Sequence, residues 1–142
     1  MSARCAIVDT NVVVAALLTQ AHQSPVARVL DGMLLARFPF ALSEPLLAEY
    51  RAVLLRPRIS ARHRLAEADI DLILTDLAQH AIVVEAAPGA RQAPDPKDQM
   101  LWDLLAACPG STLVTGDALL LAANDAPGPI RTPAQWVAEC KA

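Results

Sequence analysis

The chain has 142 residues, 54% of them hydrophobic, with a formal net charge of −3 and a mean hydropathy of +0.34. That length and apolar content suit a single domain, expected over residues 1–142, with material for one sizeable core. The negative balance gives no global attraction for nucleic acid, no window holds the roughly 18 uninterrupted apolar residues of a membrane span, and Cys5, Cys108 and Cys140 form neither a zinc-type pair nor a disulfide framework.

In chain order, "CAIVDTNVVVAALL" (5–18) opens as a strand over Cys5–Val8 and then sets Asp9, Thr10 and Asn11 in succession before a helix predicted over 12–20. Asp9 comes too early for the apolar core of a signal peptide, so a cytoplasmic chain is expected. A second helix is predicted over 25–36. These two helices carry more apolar residues than one sheet-facing stripe requires, which predicts a homodimer through them. After a strand at Phe38–Leu42, a helix over 44–55 takes Ser43 as N-cap and Pro45 in its first turn. Its apolar stripe is Leu46, Leu47, Tyr50, Val53 and Leu54. Glu49 stands about 90° from the centre of that stripe, at the border of the packed face, whereas Glu44 points away and is solvated.

The next stretch, "RAVLLRPRISARHR" (51–64), holds five of the twelve basic side chains: Arg51, Arg56, Arg58, Arg62 and Arg64. "RPR" reads as a turn. The cluster suits phosphate contacts, with a solvated basic turn as the competing reading. A helix over 66–79, a strand at Ala81–Val84 and a turn over 87–96 follow. In the helix predicted over 96–108, Pro96 at N1 makes Asp95 the N-cap and Asp98 the N3 residue, an acidic form of the capping box. Asp98 stands about 90° from the stripe of Met100, Leu101, Leu104, Leu105 and Cys108. Asp103 lies about 140° round from Asp98, too far for both to hold one ion on a regular helix. A strand at Thr112–Thr115 runs into Gly116 and Asp117 and a helix over 117–124. A short strand at Pro129–Arg131 and a helix over 133–141 complete the series.

Valine- and isoleucine-rich strands alternating with helices predict a parallel α/β sheet covered on both faces. In such sheets ligands sit beyond the carboxyl ends of the strands, where Asp9 and Asp117 both fall. Either one alone reads as a helix N-cap. Two on one rim, joined by Glu49 and Asp98, point to an acidic site.

"VDTN", "LLAEYRAVLLRP", "DPKDQMLWDLLAA" and "LVTGDALLL", in that order across residues 8–121, resemble the PIN-domain family, and within it the toxin components of bacterial toxin–antitoxin systems related to the VapC type. The resemblance implies a three-layer α/β/α fold with a central parallel sheet of four to five strands. It also implies Asp9, Glu49, Asp98 and Asp117 as metal-binding and catalytic acids, Asn11 and Thr115 as supporting residues, an RNA substrate and a cognate antitoxin. Related sequences often carry a glutamate where this one has Asp103, which keeps Asp103, with Asp95, as a second-rank candidate.

The residue types suit that chemistry on their own account. Crowded carboxylates repel unless a cation neutralises them, and hard oxygen donors without histidine or cysteine select Mg²⁺ or Mn²⁺. Such ions serve in-line displacement at phosphorus, here phosphodiester hydrolysis. His22, His63 and His80 have no spacing that suggests a nuclease base. Two Trp, one Tyr and two Phe make a poor base-stacking platform, so Arg56, Arg58, Arg62 and Arg64 are the candidate RNA contacts. The leading reading is a metal-dependent endoribonuclease of toxin type. The alternatives are a PIN-fold scaffold that binds RNA or protein, and a Mg²⁺-dependent phosphohydrolase or phosphoacceptor domain. The second has against it the lack of a P-loop lysine motif and of a strand-end DxD nucleophile.

Overall fold

The computed structural model describes residues 4–89 and 91–140. Its strands are β1 (Cys5–Val8), β2 (Ala41–Leu42), β3 (Ile82–Val83), β4 (Ser111–Val114) and β5 (Ile130–Arg131), and every pairing among them is parallel. A three-stranded sheet runs β1-β4-β5, and β2 pairs separately with β3. One parallel bridge between Ala6 and Phe40, in which the Ala6 amide donates to the Pro39 carbonyl at 2.9 Å, sets β2 beside the free edge of β1. The order across the molecule is therefore β3-β2-β1-β4-β5.

Successive strand residues face opposite sides of a sheet. Ala6, Ile7 and Val8 of β1, and Thr112, Leu113 and Val114 of β4, are all fully buried, so both faces of the centre are covered and the α/β/α layering follows. The helices are α1 (Thr10–Leu18), α2 (Pro25–Leu34), α3 (Glu44–Leu54), α4 (Pro57–His63), α5 (Glu67–His80), α6 (Gln99–Ala107), α7 (Ala118–Leu121) and α8 (Pro133–Cys140). Helix α6 packs on β1 and β4, α7 and α8 pack on β5, and α1, α2, α3 and α5 interlock with one another. Tyr50 of α3 is fully buried, and its hydroxyl donates to the Val8 carbonyl, tying α3 to the end of β1.

Several expectations shift. Helix α1 starts at Thr10 rather than 12, because Asp9 caps it by accepting from the Thr10 amide. The helix predicted over 96–108 splits into a 3-10 turn, Pro96–Asp98, and α6. Lys141 of the last predicted helix and Ala90 of the 87–96 turn lie outside the described residues. The largest correction is α4, a helix that starts within the turn expected at "RPR". Pro57 at N1 supplies a helical φ, Arg56 is the N-cap, and Arg64 ends the helix in the left-handed region at φ 59°. His63 fastens it: Nδ1 accepts from the Leu65 amide, so Nε2 carries the proton and donates to the Leu54 carbonyl at 2.8 Å.

The apolar surface expected on α1 and α2 is only partly covered: Ala16, Leu17, Leu18, Val26 and Leu34 are half-buried, and Leu35 at the end of α2 is exposed. Val12, Val13, Val29, Leu30 and Met33 are buried as these helices pack on each other and α2 packs on α8. Gly32 permits close approach there, since a Cβ would stand 2.3 Å from the Phe38 ring. The packing of α1 and α2 within the chain narrows the surface left for the homodimer expected through them. Large apolar side chains are also exposed at Leu72, Ile82, Val83 and Leu119. Strand β3 thus departs from the covered-strand expectation.

Candidate active site

The register pairs Val8 with Val114, and the Asp9 amide donates to the Val114 carbonyl at 2.9 Å, so the turns that leave β1 and β4 meet above the sheet. Asp9 is 5% exposed. One of its oxygens accepts from the Thr10 amide at 2.8 Å, and the other from the Thr115 hydroxyl at 2.7 Å and the Asn11 amide group at 3.1 Å. Asn11 in turn accepts from the Gly116 amide at 3.1 Å, and the Thr115 hydroxyl accepts from the Asp117 amide at 3.0 Å. Asn11 and Thr115 therefore stitch the two turns together around the buried carboxylate.

Asp117 caps α7 by accepting from the Leu119 amide at 2.9 Å. The N-cap reading is thus correct for both strand-end acids, and capping consumes only part of each carboxylate. Asp95 caps the 3-10 turn through the Lys97 amide at 2.9 Å. Asp98 differs from the capping-box expectation. It occupies the N-cap position of α6 but makes no side-chain cap bond, because the intervening 3-10 turn takes it out of N3 geometry. Glu49 accepts a hydrogen bond from the Thr10 hydroxyl.

Asp9, Glu49, Asp95, Asp98 and Asp117 line one cleft of about 520 Å³. Arg56, Arg62 and Lys97 line it too, with Val14, Leu18, Val53 and Ile59 as apolar wall. Arg58 and Arg64 do not line this cleft, and Arg51 is held by Asp71 at 2.8 Å and Glu67 at 3.1 Å on α5. Asp103 is also elsewhere: it accepts from the Gly89 amide at 2.8 Å and from Gln99 Nε2 at 2.9 Å and lines a separate groove. Thr10 and Lys97 joined the cleft without being singled out as site residues. Their only signals were adjacency, in "DTN" and "DPKD".

Burial raises the pKa of Asp9 despite the opposing hydrogen bonds from Thr115 and Thr10, and the charges of Glu49 and Asp117 add to the rise. Asp98 is pushed up to about 6, first by burial and then by Asp9, Asp117, Asp95 and Glu49. Tyr50 is raised well above its ordinary value by burial, with Asp9 and Glu49 adding.

Repulsion among these carboxylates is not relieved from within: no ion pair among the described residues involves Asp9, Glu49, Asp95, Asp98 or Asp117. Oxygen donors that raise one another's pKa suit a hard cation. Among the described residues, however, no three His, Cys, Asp or Glu side chains form a ready metal-holding group. The donors that line the cleft are carboxylate oxygens, the type that suits Mg²⁺, which keeps several waters and takes one or two carboxylates directly.

Residues 6–119 match a family model described as PIN domain. No curated protein and no solved structure matches the chain.

Proposed function

Because the chain belongs to the PIN domain family, whose members are generally nucleases that use divalent metal ions, we propose that it is a Mg²⁺- or Mn²⁺-dependent endoribonuclease. The observation that carries this reading is one cleft whose acids come from four separate parts of the chain while Arg56, Arg62 and Lys97 stand along it.

Asp9, Asp98, Asp117 and Glu49 would hold the ion, with Asp95 beside them. When bound, the ion neutralises their charge and activates water for in-line displacement at phosphorus. The chain's own residues do the rest. Thr115, Asn11 and the Thr10 amide fix the Asp9 carboxylate in one orientation, and the Thr10 hydroxyl orients Glu49. Arg56, Arg62 and Lys97 supply charge-assisted donors for phosphates that the acids alone would repel. A water oxygen bonds to phosphorus, the P–O3′ bond breaks and O3′ takes the proton, leaving a 5′-phosphate and a 3′-hydroxyl.

We assign the nuclease further as the toxin of a toxin–antitoxin pair, held inactive by an antitoxin whose segment docks at or beside the cleft. The ordered motifs over 8–121 support this assignment. The purified protein incubated with RNA should cleave it with Mn²⁺ and stop with EDTA, yielding 3′-hydroxyl ends. Binding of RNA without cleavage would favour the scaffold reading. Co-expression with the adjacent open reading frame should rescue cells poisoned by the active nuclease. Failure of rescue removes the toxin assignment and leaves the nuclease.

A further inference from the structure

Strand β3 lies at the outer edge of the β3-β2-β1-β4-β5 array. The Ile82 and Val84 amides donate to the Phe40 and Leu42 carbonyls, both at 2.8 Å. Alternation along a parallel ladder therefore turns the Val83 amide and carbonyl outward, and neither has a backbone partner among the described residues. Edges of this kind are ordinarily blunted by shortness, lysine, proline, a bulge or a covering element, and of these β3, two residues long, shows the first. None of the residues from Ala81 to Val84 is charged or proline, and Ile82 and Val83 are 52% and 67% exposed, one on each face.

The edge is continuous with a groove of about 670 Å³. Ala48, Val83 and Met100 supply its apolar lining, Glu44, Glu85 and Asp103 its acids, and no cation lines it. Neither Glu44 nor Glu85 takes part in an ion pair among the described residues. Main-chain hydrogen bonding along an open edge gives affinity for any extended segment, and the flanking pockets select its side chains. The selection here is for cations beside small apolar groups.

We propose that β3 is a strand-addition site for an extended basic segment of a partner protein, which pairs with the outward Val83 backbone and places lysine or arginine against Glu44 and Glu85. This surface is separate from the acidic cleft, since none of the residues named here lines it.

The test uses a short alternating lysine–valine peptide and its glutamate–valine counterpart as probes of the intact protein. The lysine peptide should bind and slow hydrogen exchange at the Val83 amide by about tenfold or more, while the glutamate peptide should do neither. Val83→Pro removes the outward donor while sparing both bonds to β2, as proline is tolerated on edge strands, and should abolish binding without changing RNA cleavage. Should that variant fail to fold, Val83→Lys blocks the same edge by charge. Glu44→Gln with Glu85→Gln should weaken binding and flatten its salt dependence. No binding at about 1 mM peptide, equal binding of both peptides, or full binding by the edge variant would overturn the proposal. So would a dimeric mass with the Val83 amide already protected in the free protein, which would assign the edge to a second copy of this chain.

Discussion

Asp98 and Asp103 stand five positions apart, at the N-cap and within the body of α6, and are put to opposite uses. Asp98 lines the acidic cleft, makes no cap bond and has its pKa pushed up to about 6 by burial and by four neighbouring carboxylates. Asp103, on the far side, is held by neutral donors: its Oδ1 accepts from the Gly89 amide and the side chain of Gln99, while Gln99 itself accepts from the Ala93 amide at 2.9 Å and donates to the Arg91 carbonyl at 3.0 Å. One acid is left with charge to spare, and the other straps the loop that leads to Asp95. A carboxylate's role follows from which partners already satisfy it, not from its presence on a helix that opens an acidic motif.

The sharpest way to break this contrast is to neutralise each acid. Asp98→Asn and Asp9→Asn should lower metal-dependent RNA cleavage by more than about 100-fold, beyond the cost of losing an outer-shell partner. Asp98→Asn should leave the melting temperature near wild type. Asp9→Asn, whose amide group would face the donors from which Asp9 accepts, should lower it modestly without unfolding the protein. Wild-type turnover by Asp9→Asn would reduce that residue to a helix cap. Next in size is the division among the arginines. Arg56→Gln with Arg62→Gln should flatten the salt dependence of RNA binding by about 1.4 log units per log unit of salt, about 0.7 for each single-strand phosphate that the protein no longer neutralises. The pair Arg58→Gln and Arg64→Gln, away from the cleft, should leave the slope unchanged, as measured by filter binding across a salt series.

Asp103→Ala should do the reverse of Asp98→Asn. It strands the Gly89 amide and one Gln99 donor and should cost about 1–2 kcal/mol in urea unfolding, while cleavage by the folded protein stays close to wild type. Loss of cleavage at full stability would place Asp103 among the site residues after all. The smallest effect is on pH. Folded Asp98 holds its proton to about 6 against an ordinary 3.8, so the metal-free folded state binds more protons than the unfolded state across that window. Stability should therefore fall as pH rises from about 4 through about 6 and level off above, and Mg²⁺ should oppose the fall by binding the ionised form. Asp98→Asn should flatten the profile. A wild-type profile that rises through the same window would contradict the repulsion assigned to the cleft.

The alternation of strand and helix was legible in the residues themselves, because both periods are local. Asp9 follows its apolar run directly and Asp117 follows its own after Thr115 and Gly116, which places both at the carboxyl ends of strands on one rim, whereas the pairing of those two strands is a tertiary fact. Glu49 was located by helical rotation alone, since the stripe through Leu46, Tyr50 and Leu54 determines which way its neighbour points. Helix α4 escaped because its "RPR" start has the composition of a turn, and its packing depends on His63 reaching back to Leu54, a hydrogen bond that no local pattern announces.

By itself the chain's sequence determined the parallel α/β layering, the acids at the strand ends and the motif order of a PIN domain, since burial periodicity and turn chemistry act over a few residues. Only the tertiary structure decided which of those residues share a cleft. Parallel strands β1 and β4 are neighbours in space yet about a hundred positions apart, so the bonds from Asn11 and Thr115 to Asp9 exist only once the sheet has formed. The same long-range assembly separated Arg56 and Arg62 from Arg58 and Arg64, turned Asp103 away from Asp98, and left β3 at the edge. Each of these outcomes depends on which elements pack together, a sum of distant interactions that no single window of residues contains.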